Sequence, residues 1–194
     1  MVYVFLADGF EEVEAVAPID MLRRAEVDVI TVKVGGDESD NKVTGSHDIE
    51  ITADIHENKI AGGEPEMLET PEKLEMIVLP GGAVGVENLY ESVVVKKIID
   101  FCVKNKIKIG AICAAPSILA RLGYLKDVRA TAYPLFRHYL TDGGAVLEEK
   151  EKVITDGIFT TAAAAGVSVG FGLELVRVLK GADESERIGG GILF

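Results

Sequence analysis

The chain has 194 residues, a formal net charge of −12 and a hydrophobic fraction of 48%. This length and composition are typical of one soluble globular domain and exclude a disordered chain. The acidic surface argues against nucleic acid and anionic membranes as partners, and the two cysteines are too few for a disulfide framework.

The first two predicted elements are a strand and a helix. The apolar run "VYVFLA" (2–7) is rich in β-branched and aromatic residues, which favours a strand. A helix is predicted from about 10 to 25, with Asp8 as its N-cap, Glu11 completing a capping box, and a kink or break at Pro18. Because this helix is apolar almost all round, we expect the sheet to cover one side and a second subunit the other.

Strands and helices alternate along the rest of the chain. The predicted elements are a strand at 28–35, a small hairpin or edge excursion at 42–54, a surface loop with room for one short helix at 56–74, a strand at 75–82, a helix at 93–105, a strand at 107–112, a helix at 116–123, a short strand at 128–133, a hairpin at 152–162 turned at Asp156-Gly157, and a helix at 167–181. The tail "GGGILF" is predicted to be loose or locally packed.

This alternation predicts one α/β domain over 1–194, with a mostly parallel sheet covered by helices on both faces. Such sheets place their sites at the carboxyl ends of the strands. Asp8-Gly9, Pro80-Gly81-Gly82 and Cys113 all follow predicted strands, so we expect them to meet at one edge of the sheet.

The stretch "IKIGAICAAPS" (107–117) places Cys113 between a strand and a helix. This is the pattern of a nucleophile elbow, where free N–H groups and the helix dipole favour a thiolate. Free cysteines are more commonly buried and inert, and Cys102, on the apolar stripe of its helix, fits that interpretation. For Cys113 the residues alone leave both interpretations open.

Three blocks of sequence carry a resemblance to a known family: "ADGFEEVEAVAPIDMLRRA" (7–25), "IVLPGGAVGVENL" (77–89) and "IGAICAAPSILA" (109–120). They resemble the ThiJ/PfpI family of the class I glutamine amidotransferase-like superfamily, and especially its branch related to the parkinsonism-associated protein deglycase. The resemblance implies a flavodoxin-like three-layer sandwich. It also implies a homodimer through the first helix and an enzyme that needs no added cofactor. Neither cysteine has a second Cys or a His at metal-ligand spacing, so no zinc site is expected.

By resemblance, Cys113 is the nucleophile and Glu14 is the acid that hydrogen-bonds it. A carboxyl beside a thiolate should hold its proton, because two adjacent negative charges are unfavourable. The alternative for Glu14 is a solvated helix charge like Glu11 and Glu12. The N–H groups of Gly82 and Ala114 would form an oxyanion site, with Gly81 allowing close approach of a ligand; the alternative is a plain tight turn.

The sequence departs from the family pattern around this site. Tyr133 stands where many relatives have a His, and Ala114 stands where the peptidase branch has one, so a peptidase mechanism is poorly supported. His138 is close in sequence and is the remaining candidate for a general base. Arg24 and His47 fall where relatives bring cationic groups across the dimer interface. The stretch "TTAAAAG" (160–166) predicts an apolar wall for the pocket.

These features support three functional hypotheses. The first is a glyoxalase or deglycase that acts on small α-oxoaldehydes or glycated adducts through Cys113, with Glu14 moving protons and Tyr133 contacting substrate. The second is an oxidative-stress sensor or protective binding protein that uses oxidation of Cys113. The third and least supported is a peptidase or amidase. Because no basic segment precedes the first apolar run, no signal peptide is predicted and we expect a cytoplasmic protein.

Overall fold

The structure is a computed structural model that describes residues 1–60 and 74–194. Its strands are β1 Val2–Ala7, β2 Val29–Val34, β3 Lys42–Thr44, β4 Glu50–Thr52, β5 Ile55–His56, β6 Met76–Leu79, β7 Lys108–Ile112, β8 Arg129–Ala130, β9 Val146–Leu147, β10 Val153–Asp156 and β11 Phe159–Ala162. Its helices are α1 Glu12–Arg24, α2 Ala83–Glu91, α3 Val93–Asn105, α4 Pro116–Arg121, α5 Arg137–Asp142, α6 Ser168–Lys180 and α7 Ala182–Gly191.

Seven strands form the central sheet in the order β10-β11-β7-β6-β1-β2-β5. All neighbouring strands in this sheet are parallel except β10 and β11, which form an antiparallel hairpin. The pairs β3–β4 and β8–β9 lie outside it as small two-stranded sheets. The predicted mostly parallel sheet and both predicted hairpins are therefore confirmed.

Strand β1 shows how the sequence builds two cores. All six of its residues are buried, and successive side chains of a strand point to opposite faces. Val2, Val4 and Leu6 enter the core under α1, α6 and α7, whereas Tyr3 and Phe5 enter the core under α2 to α5. The helices therefore form two layers around the sheet, which confirms the flavodoxin-like sandwich.

The start of α1 differs from the prediction. The N-cap is Glu11, whose side chain accepts the N–H of Glu14. Asp8 is not the cap because its carboxylate instead accepts the N–H of Thr44, in the β3–β4 hairpin, at 2.9 Å. Pro18 lies inside the helix, but α1 continues through it to Arg24. A break at Pro18 was therefore the wrong expectation, because packing against α6 and the sheet holds the helix together.

Three of the described helices were not predicted: α2, the short α5 and α7. Helix α2 follows the Gly81-Gly82 turn directly and buries Val86 and Leu89 against the sheet. Helix α7 extends into the tail that was predicted to be loose or locally packed, and it buries Ile188 in the α1–α6 core. In α2 and α7, the burial of apolar residues outweighs the poor helix propensity of glycine.

The loop predicted at 56–74 and the strand predicted at 128–133 differ in part from the described structure. Most of the surface loop predicted at 56–74 lies outside the described residues, but its first part forms β5 and a 3-10 turn at Glu57–Lys59. The strand predicted at 128–133 is limited to β8 because its last residue bonds elsewhere: the N–H of Tyr133 donates to the carbonyl of Cys113. Within the described ranges, no helix combines the length and apolar character that a bilayer crossing requires.

Candidate active site

Cys113 occupies the turn between β7, which ends at Ile112, and α4, which begins at Pro116. Its backbone is left-handed, with φ of +63°, a conformation that L-residues other than glycine rarely adopt. The N–H of Cys113 donates to the carbonyl of Ala162 at 2.8 Å, and the carbonyl of Cys113 accepts the N–H of Tyr133 at 2.9 Å. Neighbouring segments thus hold the strained turn, and the predicted elbow geometry is present.

Glu14 lies in the first turn of α1 and is buried, with 1% of its surface exposed. Its Oε2 accepts the N–H of Gly81 at 3.0 Å. Its Oε1 is buried and has no hydrogen bond of good geometry, although the Cys113 thiol interacts with the same carboxyl. The structure therefore brings Glu14 and Cys113 together, and the alternative of a solvated charge at Glu14 does not hold.

Gly81 separates the two functional groups and leaves no room for a side chain. A Cβ atom at this position would collide with the Glu14 carboxylate and would lie 2.7 Å from the Cβ atom of Cys113. Gly81 is therefore required by the close approach of the acid and the thiol, as well as by the turn after β6.

The N–H groups of Gly82 and Ala114 both reach the sulfur of Cys113, where they lower its pKa. Gly82 has φ of +92°, and a Cβ there would lie 2.8 Å from the backbone nitrogen of Glu11. The glycine thus lets the β6–α2 turn pack against the start of α1. The two N–H groups predicted for an oxyanion site therefore lie beside the sulfur of Cys113.

The protonation of the pair differs from the expectation of a thiolate at neutral pH. Burial, together with the charge and hydrogen bond of Glu14, raises the pKa of Cys113 to about 12, although the two N–H groups act in the opposite direction. Burial also raises the pKa of Glu14 to about 7, although the Cys113 thiol acts in the opposite direction. The six-residue helix α4 cannot offset this desolvation with its dipole.

The raised pKa of Glu14 agrees with the expected protonated carboxyl. Because the two groups are adjacent, the proton lost near pH 7 belongs to the pair rather than to either group. The singly protonated pair is a carboxylate beside a thiol, and moving one proton converts it to a carboxylic acid beside a thiolate. The reactive form is thus one proton transfer away at neutral pH.

Tyr133 and His138 take different positions around the elbow. The backbone of Tyr133 is bonded to Cys113, and 39% of its surface is exposed at the site. His138 lies in α5, and its ring contacts that of Tyr139 in a tilted arrangement, with a centroid separation of 4.1 Å and an interplanar angle of 36°. This contact directs the His138 ring to Tyr139 instead of Cys113, so the structure gives no support for a general base there.

Arg24 and His47 are each paired within the chain. Arg24 binds Asp20 at 2.9 Å near the end of α1 away from Glu14, so one chain alone does not bring it to Cys113. His47 binds Glu12, which is buried, with 6% of its surface exposed. Glu12 is therefore not the solvated charge that was expected. A role for Arg24 or His47 across a dimer interface stays a prediction.

One cluster has the side chains of a possible metal site: one carboxylate oxygen each of Glu11 and Glu12 and a ring nitrogen of His47 lie within 4.8 Å of one another. The oxygens of Glu12 accept from His47, and an oxygen of Glu11 accepts the N–H of Glu14, so this cluster is already filled by hydrogen bonds of the chain.

The segment after β11 forms the next wall of the site. Ala162 holds Cys113 through its carbonyl, and the N–H of Ala165 lowers the pKa of Glu14. The sequence analysis treated this stretch only as an apolar wall. A backbone donor leaves no signal in residue type, so the contribution of Ala165 could not be identified from the sequence.

The family model described as the DJ-1/PfpI family matches residues 1–178. The chain belongs to the DJ-1/PfpI family. Among curated members it is 30% identical over 190 residues to Protein dj-1beta of Drosophila melanogaster, covering 98% of this chain and 95% of that protein. It is 28% identical over 184 residues to Glutathione-independent glyoxalase DJ-1 of Schizosaccharomyces pombe, covering 94% and 93%.

A solved structure of this family agrees with the fold across the whole chain. Toxoplasma gondii DJ-1, in a structure described as oxidized, superposes with a TM-score of 0.87 at 26% identity, covering 100% of this chain and 97% of that one. The recognition of the family from the three sequence blocks is therefore confirmed.

Proposed function

We propose that the chain is a cofactor-independent, cysteine-dependent enzyme of the glyoxalase or deglycase type, acting on small α-oxoaldehydes such as methylglyoxal. The observation that carries this proposal is the contact of Glu14 and Cys113 across Gly81, with two N–H groups directed at the same sulfur. A glyoxalase-named relative that is 28% identical over nearly the whole chain adds support.

The first step joins the sulfur of Cys113 to the aldehyde carbon. The thiol proton passes to Glu14, the new S–C bond forms, and the carbonyl electron pair moves to oxygen. The N–H groups of Gly82 and Ala114 stabilise this oxyanion until Glu14 returns the proton and gives a hemithioacetal. A carboxyl with a pKa of about 7 suits both transfers, because it gives and accepts protons near neutral pH.

The second step is an internal redox reaction. The Glu14 carboxylate removes the proton from the former aldehyde carbon, giving an enediolate, and returns that proton to the neighbouring carbon. The hydroxyl proton of the first carbon passes to the oxygen of the second. The first carbon is oxidised to a thioester and the second is reduced to an alcohol, so the substrate supplies both electrons. Water then cleaves the thioester, releases lactate and restores the thiol. Deglycation of early adducts would share the first addition.

Lactate formation from methylglyoxal tests this proposal. We expect Cys113→Ser to lose activity by at least about 1,000-fold, because the hydroxyl is a much weaker nucleophile in this setting. Cys102→Ser is the matched control, since Cys102 lies fully buried in α3, away from the elbow. Equal rates for wild type and Cys113→Ser would refute the proposed chemistry.

A second copy of the chain is the proposed partner. Val13 and Val16 on α1 are 52% and 48% exposed, and Ile49 of the β3–β4 turn is 56% exposed. They line one apolar depression of about 490 Å³ together with Val169 of α6. Exposed valines on a helix that is already packed on its other side favour a homodimer through this face. Sedimentation of Val16→Glu should show a monomer if this face joins the subunits.

The second candidate function is an oxidation sensor. Its supporting observation is that Cys113 is half-buried beside N–H donors that can also bind sulfinate oxygens, whereas Cys102 is buried. Mild peroxide followed by intact mass measurement separates the two functions. A sensor gains two oxygens on Cys113 before other residues react, and a protein that gains none is not a sensor of this type.

A further inference from the structure

The pair of Glu12 and His47 fixes the β3–β4 turn onto the start of α1. One oxygen of Glu12 accepts the backbone N–H of His47 at 2.6 Å, and the other accepts Nδ1–H of its ring at 2.8 Å. The Ser46 hydroxyl donates to the same carboxylate at 3.3 Å, and the Ser46 N–H donates to the carbonyl of Phe10 at 2.8 Å. A Cβ at Gly45 would collide with the Glu12 carboxyl. The position of the imidazole is therefore determined by the fold.

Glu12 is ionised around neutral pH, and its contact with His47 favours the charged form of the imidazole. Burial raises the pKa of Glu12, but the side-chain and backbone hydrogen bonds from His47 outweigh it and lower that pKa to about 2. The hydrogen bond with Glu12 in turn raises the pKa of His47. When His47 loses its charge at higher pH, Nδ1–H can still donate to Glu12 in the neutral tautomer. The contact persists while the charge disappears.

Glu11 connects this pair with the catalytic carboxyl. Its donor atom lies within 4.8 Å of those of Glu12 and His47, and its Oε2 accepts the N–H of Glu14 at 2.7 Å. The charge of Glu11 raises the pKa of both Glu14 and His47. The other charged group that faces His47 is Asp48 of its own turn, and the group that faces Glu14 from the sheet is Cys113.

We propose that His47 is a positioning residue whose charge, acting across Glu11, controls whether Glu14 holds its proton in the neutral range. This inference rests on the proposed function, since it concerns the acid of that site. The imidazolium offsets the field of Glu11 and helps Glu14 ionise. When His47 becomes neutral, the field of Glu11 acts without opposition and Glu14 retains its proton to higher pH.

Two substitutions separate this charge effect from a structural one. His47→Asn keeps a donor close to the position of Nδ1 and is neutral at every pH, whereas His47→Arg stays charged. The midpoint of Glu14 is measured by carbon-13 NMR of its side-chain carboxyl, which needs no substrate. We expect the titration midpoint of Glu14 to rise by about half a pH unit in His47→Asn, which is the size of a screened interaction between surface charges. In His47→Arg the midpoint should stay level or fall.

His138→Asn is the matched control, because His138 is also exposed but its ring contacts Tyr139 in α5. It should leave the Glu14 midpoint unchanged. Shifts of the same sign in both His47 variants, or a midpoint unmoved in His47→Asn, would overturn the proposal. The acidic limb of the pH profile of lactate formation, where Glu14 loses its proton and becomes able to accept that of Cys113, should follow the NMR midpoint. A protein without glyoxalase activity would refute the proposed function, while the NMR titration would still decide the role of His47.

Discussion

The two cysteines of this chain have similar pKa values for different physical reasons. Burial raises the thiol pKa of Cys102, in α3, to about 12, and no other group contributes to the shift. At Cys113 burial, Glu14 and two N–H groups all contribute to a value that is also about 12. The difference lies in the neighbours: Cys113 faces a carboxyl that can take its proton. The proton acceptor, rather than the pKa of the thiol alone, distinguishes the candidate nucleophile from the core residue.

Removing the proton acceptor should have the largest effect. We expect Glu14→Gln to reduce lactate formation by about 100- to 10,000-fold, because an amide cannot transfer protons. Alkylation of Cys113 should shift to lower pH in the same variant, since the negative charge beside the sulfur is gone.

Glu87→Gln is the control for the loss of a carboxylate, because Glu87 pairs with Arg121 at the surface. Cys102 serves as the internal control for alkylation and should stay unreactive in the folded protein. Full activity of Glu14→Gln would remove the proposed distinction between the two thiols.

The same carboxyl should make stability depend on pH. The pKa of Glu14 is raised from 4.5 to about 7, so the folded protein binds this proton more tightly than the unfolded chain does. Its stabilising contribution is complete below pH 4.5 and is lost as the pH rises through about 7. Between pH 4 and pH 8, Glu14→Gln should gain about 3 kcal/mol in unfolding free energy relative to wild type, an order-of-magnitude value. Urea denaturation of both proteins at pH 4 and pH 8 measures this difference in unfolding free energy. The same difference between variant and wild type at both pH values would contradict the prediction.

The close contact at Gly81 predicts a smaller loss of stability. Gly81→Ala should reduce the free energy of unfolding by about 2–3 kcal/mol, because the new methyl group meets Glu14 and Cys113. Gly190→Ala in α7 is the matched control, since no atom lies within 4 Å of the added Cβ. That variant should be neutral or stabilised by up to about 1 kcal/mol. If thermal unfolding showed equal effects for Gly81→Ala and Gly190→Ala, Glu14 and Cys113 would be able to move apart without loss of stability.

The smallest expected effect isolates the backbone at the two cysteines. At position 113, where φ is +63°, glycine should be more stable than alanine by about 0.5–1 kcal/mol. At position 102, inside α3, alanine should be more stable than glycine by about 1 kcal/mol. Chemical denaturation of the four variants measures whether glycine and alanine change rank between the two positions. If alanine were the more stable residue at both positions, the elbow would be unstrained.

The sequence was sufficient for the parallel sheet, for most helices and for the elbow at Cys113, because apolar runs and turn residues report local structure directly. It was not sufficient for the N-cap of α1. Asp8 and Glu11 are both adequate caps, and the choice depends on Thr44, which is distant in sequence. Helix α7 was missed because its glycines disfavour a helix locally, whereas Ile188 packs into a core formed by other elements.

In the candidate site, too, some features could be predicted from the sequence and others could not. The strand ends placed Cys113 and the Gly81-Gly82 turn at one edge of the sheet, whereas the role of Glu14 and the choice of Cys113 as nucleophile depended on the family resemblance. The direction of the thiol pKa could not be predicted, since it depends on how deeply the sulfur is buried. The ion pair of Glu12 with His47 was also missed, because the two residues are 35 positions apart and meet only through the hairpin.

The left-handed backbone at Cys113 also limits which nucleophiles an engineer, or evolution, can exchange at this elbow. Side chains branched at Cβ are the least compatible with a positive φ, so threonine is disfavoured although its hydroxyl could attack a carbonyl. Serine differs from cysteine by one atom and carries no branch. The fold therefore restricts the accessible chemistries to unbranched thiol and hydroxyl nucleophiles before any question of reactivity arises.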